Sequence, residues 1–448
     1  MSGQMIERGD LKEYVPFACK KYEKIIKRRS YIMGKRELTM GLKKFGWLGV
    51  LLLISVLLIC PPASAQEAPK VVKFGAVFPL TGPMAPHGEA WRDATETAVT
   101  YINDTGGIKA LKGARLEVLF GDNQMKPAVA ATEAERLIEQ EKAVAVFGSP
   151  PSAVTMAGSA AAERLKTPYL DPTSFADQLC RRGFKYFFEM QPTAYFMAET
   201  QVEFLNFFNK THGMNIKRVG LIHEDTDYGK SLSRAQRTLL PKNGYEVVAD
   251  IEYNAKAPDL SSPVLKLKAA NPQFVFESAY FADALQIAKI SARLGFQVPM
   301  VEAETRGDYK WIQAAHPNGE GSFCLIQWDR DNPHPLSKEL TKRYEEKYKR
   351  KANCLVGATF QLVLVLKKAL EIAGSADREA IKDALYKIEI LPGPELIIPY
   401  EKIKFDETGM NTFGRPMIAQ IQDGELNMIW PTRHARKQAR ILEGWKKP

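Results

Sequence analysis

From residue 71 onward the chain alternates short, almost wholly apolar runs with longer stretches whose apolar residues recur every three to four positions. The first run, 71–78, leads through a Gly/Pro-rich loop to a helical pattern over 88–103. Strand-like 116–120, helical 127–140, strand-like 143–147, helical 152–165 and strand-like 168–170 follow. Strands this short and this uniformly apolar are buried on both faces, as in a parallel sheet covered by helices. The alternation restarts after Pro192, with helix 195–211, strand 218–223, helix 229–243, strand 246–253, helix 261–270, strand 274–278, helix 283–294 and strand 299–302. A strand at 324–328, helices at 335–348 and 357–373, and β-like segments at 403–405 and 417–422 complete the pattern. Two βα series in tandem predict an α/β protein of two Rossmann-like lobes with parallel-type sheets. Open sheets of that kind take ligands at the carboxyl ends of their strands, so the cleft between the lobes is the expected site.

Residues 40–65 do not follow this grammar. Lys43 and Lys44 precede an apolar run over 48–59, which ends at Pro61-Pro62 and is followed by Ala63-Ser64-Ala65 before Gln66. A basic start, an apolar centre and small residues at the end are the three parts of a cleaved secretory signal, and the run is shorter than the ~20 residues of a spanning helix. The working protein is therefore expected outside the cytoplasm, in the periplasm, beginning near Gln66. Residues 1–39 then read as an upstream extension or a mis-assigned start, with Met40 as the initiator.

This division changes the charge argument. The whole chain carries 62 Lys plus Arg against 52 Asp plus Glu, but residues 1–65 hold 12 and 5 of these, leaving 50 against 47. A balance so near neutral removes the electrostatic footprint of a nucleic-acid binder. Three of the five cysteines, Cys180, Cys324 and Cys354, fall in the mature chain without Cys-x-x-Cys spacing, which points to buried small apolar side chains rather than a metal or redox site. No Gly-x-Ser-x-Gly, Walker, His-Glu-x-x-His or Gly-x-Gly-x-x-Gly motif is present, and the six histidines are scattered. No catalytic residue, cofactor or metal is expected.

One segment carries binding chemistry. The strand ending at Phe147 runs through Gly148-Ser149-Pro150-Pro151 to Ser152, which stands where a helix N-cap belongs. The N–H groups of such a terminus can hold a ligand carboxylate without Arg or Lys.

With these features the mature chain resembles the periplasmic solute-binding proteins of branched-chain amino acid ABC transporters. The matching stretches, in order, are 74–83, 101–108, 121–123, 147–152, 168–172 and 222–229. The resemblance implies a type 1 periplasmic binding protein: two lobes joined by three crossovers, closing over a small ligand and docking, as a monomer, on a membrane permease. The first lobe is expected from 71–191 plus 325–391 and the second from 192–324 plus 392–435, with a basic tail over 436–448.

Residue by residue, the resemblance places Ser152 at the ligand α-carboxylate and the loop Thr173, Ser174, Phe175 at its ammonium. Tyr280 becomes the aromatic of the opposite lobe, and Glu304 the acid that pairs with the ammonium. Phe175 stands where the family usually has Thr, which removes one hydrogen bond and adds an aromatic face. Either the ligand keeps its amine on Glu304 and Phe175 reshapes the side-chain pocket, or the ligand is a carboxylate without an amine. Phe78, Thr81, His87 and Trp91 are further candidates for lining the cleft. Delivery of an amino acid or related carboxylate to an ABC-type permease is the leading expectation. The alternative is a sensor of amides or aromatic acids that feeds a signalling partner.

Overall fold

The computed structural model describes residues 69–148 and 150–445; the expected signal, 40–65, and the stretch before it lie outside the described residues. The first lobe is built on a five-stranded parallel sheet with the order β2-β1-β3-β4-β5. Its strands are β1 (Val71–Phe78), β2 (Arg115–Asp122), β3 (Val146–Phe147), β4 (Tyr169–Asp171) and β5 (Phe187–Glu189). Helices α1 (Ala85–Asp104), α2 (Pro127–Glu139) and α3 (Ser152–Arg164) connect them. Helix α1 begins three residues before the expected 88, because Pro86 sits in the first turn, where no backbone N–H is needed.

Helix α4 (Ala194–His212) opens the second lobe. Strands β6 (Arg218–Glu224), β7 (Glu246–Tyr253), β8 (Phe274–Ser278), β9 (Met300–Glu302) and β10 (Phe323–Ile326) alternate with α5 (Asp227–Lys242), α6 (Ser261–Ala269), α7 (Phe281–Arg293) and α8 (Tyr309–Ala315). The sheet is completed by β11 (Met417–Gln422) and β12 (Glu425–Trp430), in the order β12-β11-β10-β9-β8-β6-β7. Strand β11 runs antiparallel to both β10 and β12, so this sheet is mixed rather than wholly parallel. A two-residue turn at Asp423-Gly424, both with positive φ, joins β11 and β12 as a hairpin.

Between β10 and β11 the chain returns to the first lobe. It forms α9 (Pro335–Tyr348), α10 (Cys354–Ala373) and α11 (Arg378–Lys387) there. Helix α10 is buried on almost every side and shares one core with α1, including Trp91, Ala94, Ala98 and Ile102. Gly357 makes its approach to Trp328 possible, since a Cβ at that position would lie 1.9 Å from Trp328 Cδ2.

The boundary expected at 391/392 is displaced. Ile390, Ile397, Ile403 and Phe405 lie in the first-lobe core, and Glu189 of β5 exchanges backbone bonds with Gly409 (2.8 Å) and Asn411 (2.9 Å). The chain therefore stays with the first lobe until about residue 411, because this segment covers the β5 edge of the sheet. Residues 403–405 make isolated bridges, not a strand. The tail is also less free than its charge suggested. Trp445 is buried in the second-lobe core, Arg436 pairs with Asp329, and Arg440 pairs with Glu320 and Asp423. Cys180, Cys324 and Cys354 are buried and unbonded.

Gly409 has φ +77°, and a Cβ there would stand 1.9 Å from the Phe187 carbonyl oxygen. Gly409→Ala is expected to cost about 3 kcal/mol of stability through backbone strain and overpacking, read as a lowered urea midpoint.

Candidate functional site

Each sheet reverses its strand order once. In the first, β2 and β3 lie on either side of β1; in the second, β7 and β8 flank β6. At such switch points the loops leaving neighbouring strands diverge and open a crevice. Residues of both crevices line one narrow cavity of about 50 Å³. From the first lobe it is lined by Met84, His87, Trp91, Ser152, Thr173 and Phe175; from the second by Tyr228, Tyr280, Glu304, Thr305 and Asp308. Cys354 and Leu355 at the start of α10 close one side.

Ser152 is the first residue of α3, one position later than expected, because Pro151 occupies the N-cap. Its hydroxyl therefore does not cap its own helix; its Oγ instead accepts the Ala176 N–H at 3.4 Å. In the first helical turn the Val154 N–H already donates to the Pro151 carbonyl at 2.8 Å, while those of Ser152 and Ala153 have no helical carbonyl behind them, and Ser152 lines the cavity. Thr173 lines the cavity, and its buried Oγ1 has no partner. Ser174 does not line it: its hydroxyl lies 2.8 Å from Thr155 Oγ1, and its N–H donates to Asp171 Oδ2 at 2.9 Å. Asp171 thus tethers the 172–175 loop from below, and burial raises its pKa to about 6.

Phe175 is 5% exposed and begins a run of aromatic rings across the cleft. Its centroid is 5.9 Å from that of Tyr228, which is 5.7 Å from that of Tyr280. Tyr280 Oη lies 3.2 Å from Thr226 Oγ1.

Glu304 is buried, its Oε1 has no partner, and no cation stands beside it. Burial, with the charge of Glu302, pushes its pKa well above the carboxylate range. The turn presenting it hangs on Glu302, whose Oε2 accepts the N–H of Glu304 at 2.8 Å and of Arg306 at 2.9 Å. The Arg306 guanidinium, 1% exposed, pairs with Glu277 behind that turn.

Of the other candidates, His87 and Trp91 line the cavity, while Phe78 and Thr81 do not. Phe78 is packed in the core between Trp91 and Phe120, and the Thr81 hydroxyl donates to Asp122 Oδ2 at 2.6 Å. His87 Nε2 lies 3.2 Å from Asp308 Oδ2, a buried contact from one lobe to the other. Burial raises the pKa of Asp308, but the hydrogen bond and charge of His87 and the Lys310 N–H more than offset this and leave it lowered. Asn353 donates to the same carboxylate at 3.1 Å. Ser231 of α5 donates to Gln178 at 2.8 Å, a further direct contact between the lobes.

Sequence reasoning missed Asp308, Cys354 and Leu355, which arrive through later crossovers and carry no local signal. Tyr228 was recoverable: it follows β6 at a helix start, as Ser152 follows β3. Among the described residues no group of three or more His, Cys, Asp or Glu side chains could hold a metal ion, and no helix is long and apolar enough to cross a membrane.

Two α/β lobes around such a cavity are the architecture of a solute-binding protein. A profile of the periplasmic binding protein family matches residues 71–425, and the chain belongs to that family, with the type 1 fold. It is 27% identical over 401 residues to a Leu/Ile/Val-binding protein homolog 7 of Brucella abortus, covering 87% of this chain and 98% of that one. Among solved structures, the branched-chain amino acid transporter substrate binding protein LivJ of Streptococcus pneumoniae, in complex with isoleucine, aligns with a TM-score of 0.69 at 22% identity, over 81% of this chain and 100% of that chain. A solute binding protein of an ABC transporter from Rhodopseudomonas palustris, in complex with 3,4-dihydroxy benzoic acid, aligns at 0.68 and 18% identity, over 80% and 95%. The fold is shared across these proteins while the solutes named for them differ.

Burial and the charge of Glu277 raise the pKa of Glu302 to about 8, from an ordinary value of 4.5. The folded state then holds a proton that the unfolded chain releases. This contribution to stability is full below about pH 4.5 and is lost as the pH rises to about 8. Glu302→Gln should flatten the urea midpoint against pH in that window, by up to one proton, or about 1.4 kcal/mol per pH unit.

Proposed function

We propose that this protein captures an amino acid or a closely related small carboxylate in the interlobe cavity and delivers it to an ABC-type membrane permease. It acts outside the cytoplasm, after removal of a leader ending near Ala65, as a monomer and without chemistry of its own. The observation that carries the reading is the opposed polarity of the cavity walls. The first lobe offers donors, the Thr173 hydroxyl and the start of α3 at Ser152, and the second offers the unpartnered buried carboxyl of Glu304, while its other carboxyl, Asp308, is held by His87 and Asn353. A zwitterion laid across the cleft satisfies both and contacts both lobes, which is the condition for a ligand to favour the closed arrangement. Family membership and the isoleucine complex of the LivJ neighbour support the same class.

A second reading rests on Glu304 itself. Without a cation beside it, burial favours the protonated form of the side chain, and a protonated carboxyl can donate to a ligand oxygen. An amine-free aromatic acid lying against Phe175, Tyr228 and Tyr280 would use that donor.

The two readings differ in proton balance. An ammonium group requires Glu304 to ionise, so amino-acid binding near pH 7 should release a proton, and its calorimetric enthalpy should change with the ionisation enthalpy of the buffer. Glu304→Gln should weaken amino acids more than tenfold and leave amine-free acids little changed. Thermal unfolding against amino acids, short amides and aromatic or aliphatic carboxylates identifies the class first, since a ligand at a hundredfold excess over Kd adds about 2.7 kcal/mol. A response to amine-free acids alone would replace the first reading by the second.

A further inference from the structure

Two buried polar atoms of the cavity wall, His87 Nε2 and Trp91 Nε1, are not explained by the amino-acid backbone of a ligand; His87 Nε2 faces the Asp308 carboxylate, and Trp91 Nε1 faces no charged group. Trp91 sits one turn after His87 on α1, is 1% exposed, and lines the cavity. Its ring packs against His87, with centroids 5.9 Å apart, and against Phe78 at 6.1 Å. Its Nε1 is buried and has no hydrogen-bond partner. An indole N–H can only donate, and a buried donor left unpaired is costly. Trp328, equally buried, places its Nε1 2.9 Å from Ser337 Oγ; Trp311, also without a partner at Nε1, does not line the cavity. The neighbours of Trp91 in the wall, Met84, Cys354 and Leu355, offer no strong acceptor, since burial keeps the Cys354 thiol protonated.

We infer that Trp91 Nε1 donates to an acceptor on the side chain of the solute, so that the preferred ligands carry a neutral side-chain oxygen, as a hydroxyl or a carbonyl, and are not plain hydrocarbon amino acids. The acceptor is neutral because the His87 ring that packs on Trp91 is already within 3.2 Å of the Asp308 carboxylate, and a second anion there would be repelled. This inference rests on the amino-acid reading above, with the ligand carboxylate at Ser152 and the amine at Glu304, and it extends that reading to the third group of the solute. A site built to hydrogen-bond a substrate oxygen discriminates strongly against the analogue that lacks it.

Titration calorimetry with matched pairs tests it: valine against threonine, leucine against asparagine, and phenylalanine against tyrosine. The purified protein should bind the oxygen-bearing member of at least one pair tenfold or more tighter, and Trp91→Phe should reduce that preference to less than threefold. Should the variant fold poorly, the Trp91 indole N–H resonance of the unsubstituted protein reports directly, shifting downfield and exchanging more slowly with the oxygen-bearing ligand. Equal or tighter binding of the hydrocarbon member in every pair would overturn the inference while leaving the amino-acid reading intact. Failure of all six amino acids to bind would instead overturn that reading. The pair 3-phenylpropanoate and 3-(4-hydroxyphenyl)propanoate would then decide for or against Trp91 by the same criterion.

Discussion

Three carboxyl groups, Glu277, Glu302 and Glu304, are buried at the ends of neighbouring second-lobe segments, with the single guanidinium of Arg306 among them. Charges this deep persist only when paired and hydrogen-bonded, and one cation cannot pair with three anions. Arg306 goes to Glu277, two backbone N–H groups go to Glu302, and nothing goes to Glu304. The arrangement fixes the turn that carries Glu304 while leaving Glu304 itself unsatisfied. Removing Arg306 would strand Glu277 and loosen the same turn, so the integrity of the second-lobe core and the position of the cavity carboxyl depend on one residue.

Closure draws on contacts of unequal value. The Glu89 to Lys310 pair, 3.7 Å apart and with both partners largely exposed, gains little in water. The His87 to Asp308 contact is buried and reinforced by Asn353, so opening the lobes at this rim would leave a carboxylate without its main partner. If the lobes open and close as the proposed function requires, these protein-to-protein contacts would set that equilibrium, and a solute would shift it only by the difference in its affinity for the two states.

Much of this was legible from hydrophobic pattern. Most strands and helices fall within a few residues of expectation because both-face burial makes parallel strands read as unbroken apolar runs. The elements that escaped are β5, of three residues, α8, of seven, α11, of ten, and β12, of six. Within the site, Thr173, Phe175, Tyr280 and Glu304 reach the cavity because they lie just beyond strand ends, where topology converges. Phe78 fails because it closes its strand facing the core, and Thr81 because Asp122 captures its hydroxyl. Asp308 and Cys354 belong to separate crossovers; their meeting is a property of the tertiary path, and no spacing along the chain encodes it.

That path also has a consequence in time. The sheet of the first lobe is complete at Glu189, yet the core beneath α1 needs α10, and the β5 edge needs the strip ending near residue 411. All of the second lobe's parallel strands are synthesised in between. Contacts so distant in sequence are slow to form, and until they do the apolar face of Trp91, Ala94, Ala98 and Ile102 has nothing to cover it. The chain thus has no finished first lobe until its closing segments have been made, and during synthesis it depends on whatever shields that face from other chains.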